Sequence, residues 1–324
     1  MCCGEIISSV VMSSDMSSKN IDAFPMTGGQ AGVITNKNFG EATLISTNEK
    51  EILDVISQGR VPVVTGFQGI TENGYFTTLG RGGSDTTASI LGVMLDAERI
   101  EIYTDVDGVM TADPRIVKSA SVIDIISYDE VFQLADQGSK VIHPKAIEYA
   151  REGNIPIMIK NTLNDTIGTL INNVGDRKKR RLITSITNHD DRIQVTLNLD
   201  DNKGNDRYND VLEIIAANKI SLDLINIFPR QQVFTISKAA KDIVKDIFDK
   251  LNLKYTLIDD CSTIALVGAG MKGIPGVMAK IYKTLSDSNI EVLQTADSHM
   301  TIWCLIHTEN LEKAINALHK AFKL

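Results

Sequence analysis

The run Thr77-Thr78-Leu79-Gly80-Arg81-Gly82-Gly83-Ser84-Asp85-Thr86-Thr87 is the densest chemical signal in the chain. Three glycines surround an arginine and lead directly into an apolar-periodic stretch. Glycine lets a backbone adopt positive φ and approach a ligand closely. A helix start offers N–H groups without intrahelical partners and the positive end of a dipole, a setting that suits a carboxylate or phosphate. Arg81 can hold a carboxylate through two parallel hydrogen bonds, and Asp85 can receive an ammonium group. Together they would recognise both charged ends of an α-amino acid. The same spacing also reads as a capped helix, with Ser84 or Asp85 as N-cap after a glycine turn.

The elements that would position this run alternate strand and helix. Residues 61–67 and 100–105 read as strands, Ser84–Ala97 as a helix with Thr87, Ile90, Leu91, Met94 and Leu95 on one face, 128–137 and 144–152 as helices, and 155–159 as a strand. Such alternation predicts an α/β sheet flanked by helices, with ligands beyond the carboxyl ends of strands. A charged connector covers 175–181. Beyond it the pattern repeats with a shift of seventy positions: Ile220–Leu224 falls on Ile290–Gln294, Val233–Ile236 on Trp303–Ile306, and Val244, Ile247, Phe248 and Leu251 on Ala314, Ala317, Leu318 and Ala321. Each copy reads strand, helix, strand, strand, helix, with a further strand near 255–259. One copy has a marginal core alone, so two would bury their exposed faces against each other or against a partner subunit.

Composition narrows the function classes. The 324 residues carry a net charge of −8, which offers no electrostatic footprint for nucleic acid or an anionic membrane. The basic cluster Arg177–Arg181 reads as a solvated connector. Four cysteines, with only Cys2 and Cys3 close in sequence, have neither metal-ligand spacing nor a disulfide pattern, so no metal site is expected from protein ligands. No apolar run reaches the ~18 residues of a membrane span, and the first twenty residues lack a secretory pattern. A cytoplasmic location is expected.

The glycine–arginine run resembles the aspartate kinase signature, and further stretches match that family in the same order: Cys3-Gly4-Glu5, Gly66-Phe67-Gln68-Gly69, Thr104-Asp105-Val106-Asp107-Gly108-Val109, Thr111-Ala112-Asp113-Pro114-Arg115 and Gly138-Ser139-Lys140-Val141-Ile142-His143-Pro144. Val267–Val277 looks like the opening of the last regulatory domain of these enzymes, a ferredoxin-like ACT domain. The resemblance implies an amino-acid kinase-type αβα sandwich over 1–175, a linker at 176–190, and ACT domains at 191–260 and 261–324.

It also implies ATP-dependent phosphorylation of the β-carboxylate of L-aspartate, with Mg²⁺, as the first step toward lysine, threonine and methionine. Arg81 would hold the α-carboxylate, Glu5 and Asp85 the ammonium side, with Gly82, Gly83 and Ser84 lining the pocket. Thr104, Asp105, Met110, Thr111, Asp113, Arg115, Lys140 and Val141 would meet ATP. An end-product effector (lysine, threonine or meso-diaminopimelate) would contact Met271, Lys272, Gly273, Ile274 and Val277. Gln294, Thr295, Ala296 and Asp297, with Asn226 and Ile227 of the first copy, would complete that site, and a homodimer would form through the ACT domains. His143 reads as a helix-start residue and stays outside the expected site. The sequence lacks the Lys-Phe-Gly-Gly motif with which family members begin. This chain as written is therefore expected to expose apolar surface and to have little kinase activity. The alternative is a non-catalytic amino-acid-binding or regulatory fragment.

Overall fold

Short β-branched runs set the strands of the first unit, and the helices between them bury one apolar stripe each. In the computed structural model, which describes residues 2–139, 141–176, 181–204, 208–271 and 274–324, the chain divides into two compact units. They are Met1–Val109 with Val122–Lys179, and Met110–Ser121 with Arg180–Leu324.

The first unit runs α1 (Cys2–Ser18), β1 (Ala23–Met26), β2 (Val33–Thr35), β3 (Leu44–Thr47), α2 (Lys50–Ser57), β4 (Val61–Val64), β5 (Gln68–Ile70), β6 (Phe76–Thr78), α3 (Gly83–Met94), β7 (Ile100–Thr104), β8 (Ile125–Ser127), α4 (Tyr128–Asp136), α5 (Pro144–Glu152), β9 (Ile157–Asn161) and β10 (Thr169–Asn172). β1 pairs with β4 in parallel, β3-β2-β5-β6 form one sheet and β7-β9-β10-β8 another. Ile100 and Ile102 on β7 and Ile157 and Ile159 on β9 alternate inward and are buried, each worth ~1.5–3 kcal/mol relative to exposure. Helix α4 starts at a capping box in which Ser127 and Glu130 satisfy each other's backbone N–H. α5 starts at His143, whose ring Nδ1 accepts from the Lys145 backbone N–H at 3.3 Å, with Pro144 at the first helical position.

Helix α1 has an inverted amphipathic pattern. Ser9 and Ser13 are buried, and Ser9 Oγ lies 3.0 Å from Thr65 Oγ1, whereas Ile7, Val10, Val11 and Met12 are exposed. A row of exposed aliphatic side chains on one helix is the kind of surface that a further polypeptide covers.

The second unit runs β11 (Ser185–Asn198), α6 (Val211–Ala217), β12 (Asp223–Phe228), β13 (Gln231–Ser237), α7 (Lys241–Lys250), β14 (Thr256–Val267), α8 (Val277–Asp287), β15 (Gln294–Asp297), β16 (Thr301–His307) and α9 (Leu311–Phe322). α7 and α9 begin exactly one seventy-residue shift apart, at Lys241 and Leu311. The strand order is β12-β13-β11-β14-β16-β15. The second copy takes one strand from ahead of the first. Residues 192–198 of β11 pair with β13, while 185–189 pair with 263–267 of β14, and 256–258 of β14 return to pair with 194–196. Each long strand therefore serves both copies, and the difference from expectation lies in 176–190, expected as a linker, of which 185–189 form a strand paired with 263–267. The bends fall at Asp191 and Asp260, both left-handed, at φ 61° and 50°.

A second difference concerns 110–121, expected inside a continuous 1–175 domain. Ala112 and Val117 are buried in the core that holds Ile281, Leu285, Ile315 and Leu318 of α8 and α9. Burying those two side chains outweighs sequence proximity, and the segment belongs to the second unit.

Candidate functional site

The signature run leaves β6, and its backbone is held by hydrogen bonds within the chain. Leu79 donates to the Phe67 carbonyl at 3.0 Å. Gly80 and Gly82 take φ 78° and 68°, values at which a side chain would be strained. Gly82 is the N-cap of α3 and no side chain caps it. The capped-helix reading with Ser84 or Asp85 as N-cap therefore fails. Both residues lie inside the first turn, where their side chains project from the helix. The hydroxyls of Thr86 and Thr87 donate to the Gly82 and Gly83 carbonyls at 2.9 and 2.8 Å, bracing the turn from within.

Arg81 is exposed between the two left-handed glycines and Asp85 is half-buried. Burial pushes the Asp85 pKa above the ordinary carboxylate value. A hydrogen bond from the His143 backbone and the nearby imidazole work in the opposite direction. A carboxylate half removed from water at a helix start is suited to an incoming cation. Gly83 is required by close packing, since a Cβ there would sit 2.7 Å from the Phe67 ring.

Glu5 lies in the first turn of α1. That turn is tied to the strands ahead of the signature: Gln68 Nε2 donates to the Cys2 carbonyl at 3.2 Å, and Cys2 Sγ lies 3.9 Å from the Thr77 carbonyl. The other Gln68 side-chain atom, Oε1, is fully buried with no hydrogen-bond partner among the described residues. A cavity of about 250 Å³ opens beside Leu79 and Thr86, closed on its far side by Lys145, Glu148 and Tyr149 of α5.

Of the residues expected to meet nucleotide, Thr104 and Asp105 end β7 in the first unit, with Thr104 Oγ1 donating to Asp105 Oδ1 at 3.1 Å. Met110, Thr111, Asp113 and Arg115 belong to the second unit. Arg115 forks onto Asp113 at 2.6 Å, and this pairing holds the Asp113 carboxyl below its usual pKa. Val141 is half-buried. Lys140 lies outside the described residues. Among the described residues no group of three or more His, Cys, Asp or Glu could hold a metal ion.

Of the expected effector residues, Lys272 and Gly273 also lie outside the described residues. Met271 and Val277 are buried in the second core instead of lining an open site, and Ile274 is exposed. Gln294 and Asn226 are brought together: Gln294 Nε2 donates to Asn226 Oδ1 at 2.6 Å, and Gln194 Nε2 donates to Gln294 Oε1 at 3.0 Å. Thr295 and Ala296 are half-buried beside them on β15, Asp297 is exposed at its end, and Ile227 is exposed on β12.

Residues 1–161 match the Amino acid kinase family and residues 256–320 an ACT domain. Aspartokinase 1 of Bacillus subtilis (strain 168) is 40% identical over 99% of this chain and 81% of its own length. The chain belongs to the aspartokinase family. Two crystal structures of E. coli aspartokinase III, each 26% identical, share this aspartokinase fold. The complex with aspartate and ADP (R-state) has a TM-score of 0.78 over 99% of this chain and 74% of that one. The complex with lysine and aspartate (T-state) has a TM-score of 0.79 over 98% and 74%.

Three residues of this aspartokinase chain, all within the matching stretches, have contacts that those stretches alone do not announce. Phe67 is a bulky residue at φ 67° packed on Gly83; its place before Gln68-Gly69 gave only a weak hint. Asp107 accepts from Asn161 and Asn164 at 2.7 and 2.8 Å and locks the loop after β7. His143 was set aside as a helix-start residue, yet its ring lies on the Gly82 turn.

Proposed function

We propose that this chain catalyses transfer of the γ-phosphoryl group of ATP to the β-carboxylate of L-aspartate, giving 4-phospho-L-aspartate and ADP. The observation that carries the reading is the turn in which exposed Arg81 and half-buried Asp85 flank an N-cap that no side chain among the described residues caps. Arg81 binds the α-carboxylate in two-point fashion. Asp85, with Glu5, receives the ammonium group. The β-carboxylate then faces the phosphoryl donor. A carboxylate oxygen forms the new bond to phosphorus, and the bridging bond to the β-phosphate breaks as ADP leaves. No protein nucleophile is required. The work is positioning and charge neutralisation. Mg²⁺ would supply part of that neutralisation. Thr104 and Asp105, at the carboxyl end of β7, and Val141 ahead of α5 are the described part of the expected nucleotide set carried by the first unit.

The second unit is proposed to bind an end-product amino acid, lysine, threonine or meso-diaminopimelate, through the Gln294–Asn226 junction. The aspartate and lysine complexes of E. coli aspartokinase III support an amino-acid substrate and an amino-acid effector here. A homodimer through the ACT domains is supported by exposed Ile225, Ile227 and Phe228 on edge strand β12, since such an edge invites pairing.

The test is a coupled assay of ADP release with ATP, Mg²⁺ and L-aspartate. Arg81→Ala should lower kcat/KM for aspartate at least ~30-fold, the equivalent of ~2 kcal/mol for a truncated charge pair. An unchanged aspartate dependence in Arg81→Ala overturns the reading. The second reading, amino-acid binding without catalysis, draws on the outward apolar face of α1. Effector binding with no turnover would favour it.

A further inference from the structure

The signature turn rests on a histidine from a different element. An ideal Cβ on Gly82 would lie 2.2 Å from Cγ and 2.5 Å from Cδ2 of the His143 ring. The imidazole is therefore in direct contact with the Gly82 backbone, and glycine is the only residue that leaves room for it. Three residues on, the His143 backbone and ring act on the Asp85 carboxyl and lower its pKa against the burial that raises it. The residue itself is held in place. Its Nδ1 accepts from the Lys145 backbone N–H at 3.3 Å, and Ala146 and Ile147 donate to its carbonyl at 3.0 and 3.4 Å as α5 begins. Its orientation is then set by a helix packed against α3, with Ala146, Ile147 and Ala150 buried.

With Nδ1 acting as an acceptor, the neutral ring carries its proton on Nε2. Burial and the charges of Lys145 and Arg81 favour that neutral form, against Asp85 and Glu148, which favour the charged one. A neutral ring does not compete with a substrate ammonium group for the Asp85 charge. An imidazolium at the same place would.

We propose that His143 is a positioning residue for the amino-acid substrate: its ring is the platform that fixes the Gly82 turn, and with it the start of α3 that carries Asp85. The proposal rests on the reading of Arg81 and Asp85 as the amino-acid grip, and adds an element that the signature itself does not contain. Its role as N-cap of α5 is a separate, structural one, and the two can be pulled apart.

Asparagine caps helices well and keeps the backbone N–H, but has no ring to lie on Gly82. His143→Asn should therefore keep the thermal midpoint of the parent chain. Its KM for aspartate should rise about ten-fold, the equivalent of ~1.4 kcal/mol, with KM for ATP unchanged. Calorimetric titration of the same variant with L-aspartate should show the same loss of affinity, so the result does not depend on turnover. His143→Ala, which removes cap and ring together, should lose both stability and aspartate affinity. Parent-like aspartate affinity in His143→Asn overturns the proposal. So does a loss of aspartate and ATP affinity in step with a fall in thermal midpoint. Absence of aspartate binding in the parent chain overturns the amino-acid grip itself, and is distinguished by the parent's own titration.

Discussion

His319 Nε2 lies 3.0 Å from Thr111 Oγ1, and both residues are buried. The contact joins the last helix of the chain to a segment two hundred residues earlier in sequence. Ser121 donates its backbone N–H to the same Thr111 hydroxyl at 3.0 Å, so the hydroxyl proton is free to point at the imidazole. Around it, Ile186 donates to the Thr111 carbonyl, Ser185 to the Met110 carbonyl and Asn316 to the Ile116 carbonyl. The segment that carries Met110, Thr111, Asp113 and Arg115 is built into the second unit.

That contact predicts a pH dependence. Burial, then the nearby Arg181, hold the His319 pKa below its usual value. The folded state therefore favours the neutral ring. Its stability contribution is full above the unfolded value of ~6.5 and is lost as pH falls from there through the folded value. His319→Leu removes the titration and leaves the Thr111 hydroxyl without an acceptor, which costs ~1–3 kcal/mol. Thermal melts should show the variant below the parent at pH 8, with the gap narrowing toward pH 5. Parallel curves across that range would rule out this assignment.

Asp85 predicts a conflict between binding and stability. Burial raises its pKa in the folded state, so the ionised carboxylate costs stability at neutral pH. That penalty is absent below the unfolded value of ~3.9 and appears as pH rises through the folded value. Asp85→Asn keeps an acceptor for the His143 backbone N–H and removes the charge. The variant should melt higher than the parent at pH 7 and bind aspartate more weakly, measured by melts and calorimetry on the same preparation. A lower melting point would show that Asp85 serves the fold instead.

Much of this arrangement was legible in the sequence because local chemistry decides it. His143-Pro144 marks the start of α5, and Gly153 follows its last residue, as the structure has it. The seventy-residue shift survives because α7 and α9 carry the same buried face, with Val244 and Phe248 answering Ala314 and Leu318. What could not be read depends on distant partners. Ala112 and Val117 sit among polar residues in a loop, with no period to announce burial. The first residues of β11 fall in the expected linker, because the polar run His189-Asp190-Asp191 separates them from the apolar alternation that follows, and only pairing with β14 makes Ser185–Asn198 one element. Likewise, nothing local says that a ring at 143 will lie on a glycine at 82.

Glu101 offers a control in the sheet that positions Thr104. Tyr103, Arg99 and Lys160 all hydrogen-bond its carboxylate and draw its pKa down to about 2. The stability it contributes is therefore present above the unfolded value of ~4.3 and is lost as pH falls toward about 2. Glu101→Gln should lower the melting point at pH 7 and converge with the parent near the acid end. Equal melting points at pH 7 would mean that solvent screens the cluster to nothing.

Gln294 makes the sharpest claim about the second unit, because one side chain links the two copies. Its Nε2 donates to Asn226 Oδ1 and to the Leu224 carbonyl on β12, and its Oε1 accepts from Gln194 on β11. All of this takes place with Gln294 buried, where an unmade hydrogen bond is not replaced by water. Gln294→Leu keeps the volume but strands those partners, at ~1–3 kcal/mol for each buried group left unpaired. The melting point should fall. If the junction also binds the effector, thermal shifts with lysine, threonine and meso-diaminopimelate should disappear for whichever of them stabilises the parent. Asn226→Ala should reproduce that loss, since it removes the other end of the same hydrogen bond. A variant that melts lower yet keeps the full effector shift would leave the Gln294–Asn226 bond as structural glue and move the effector site elsewhere in the unit.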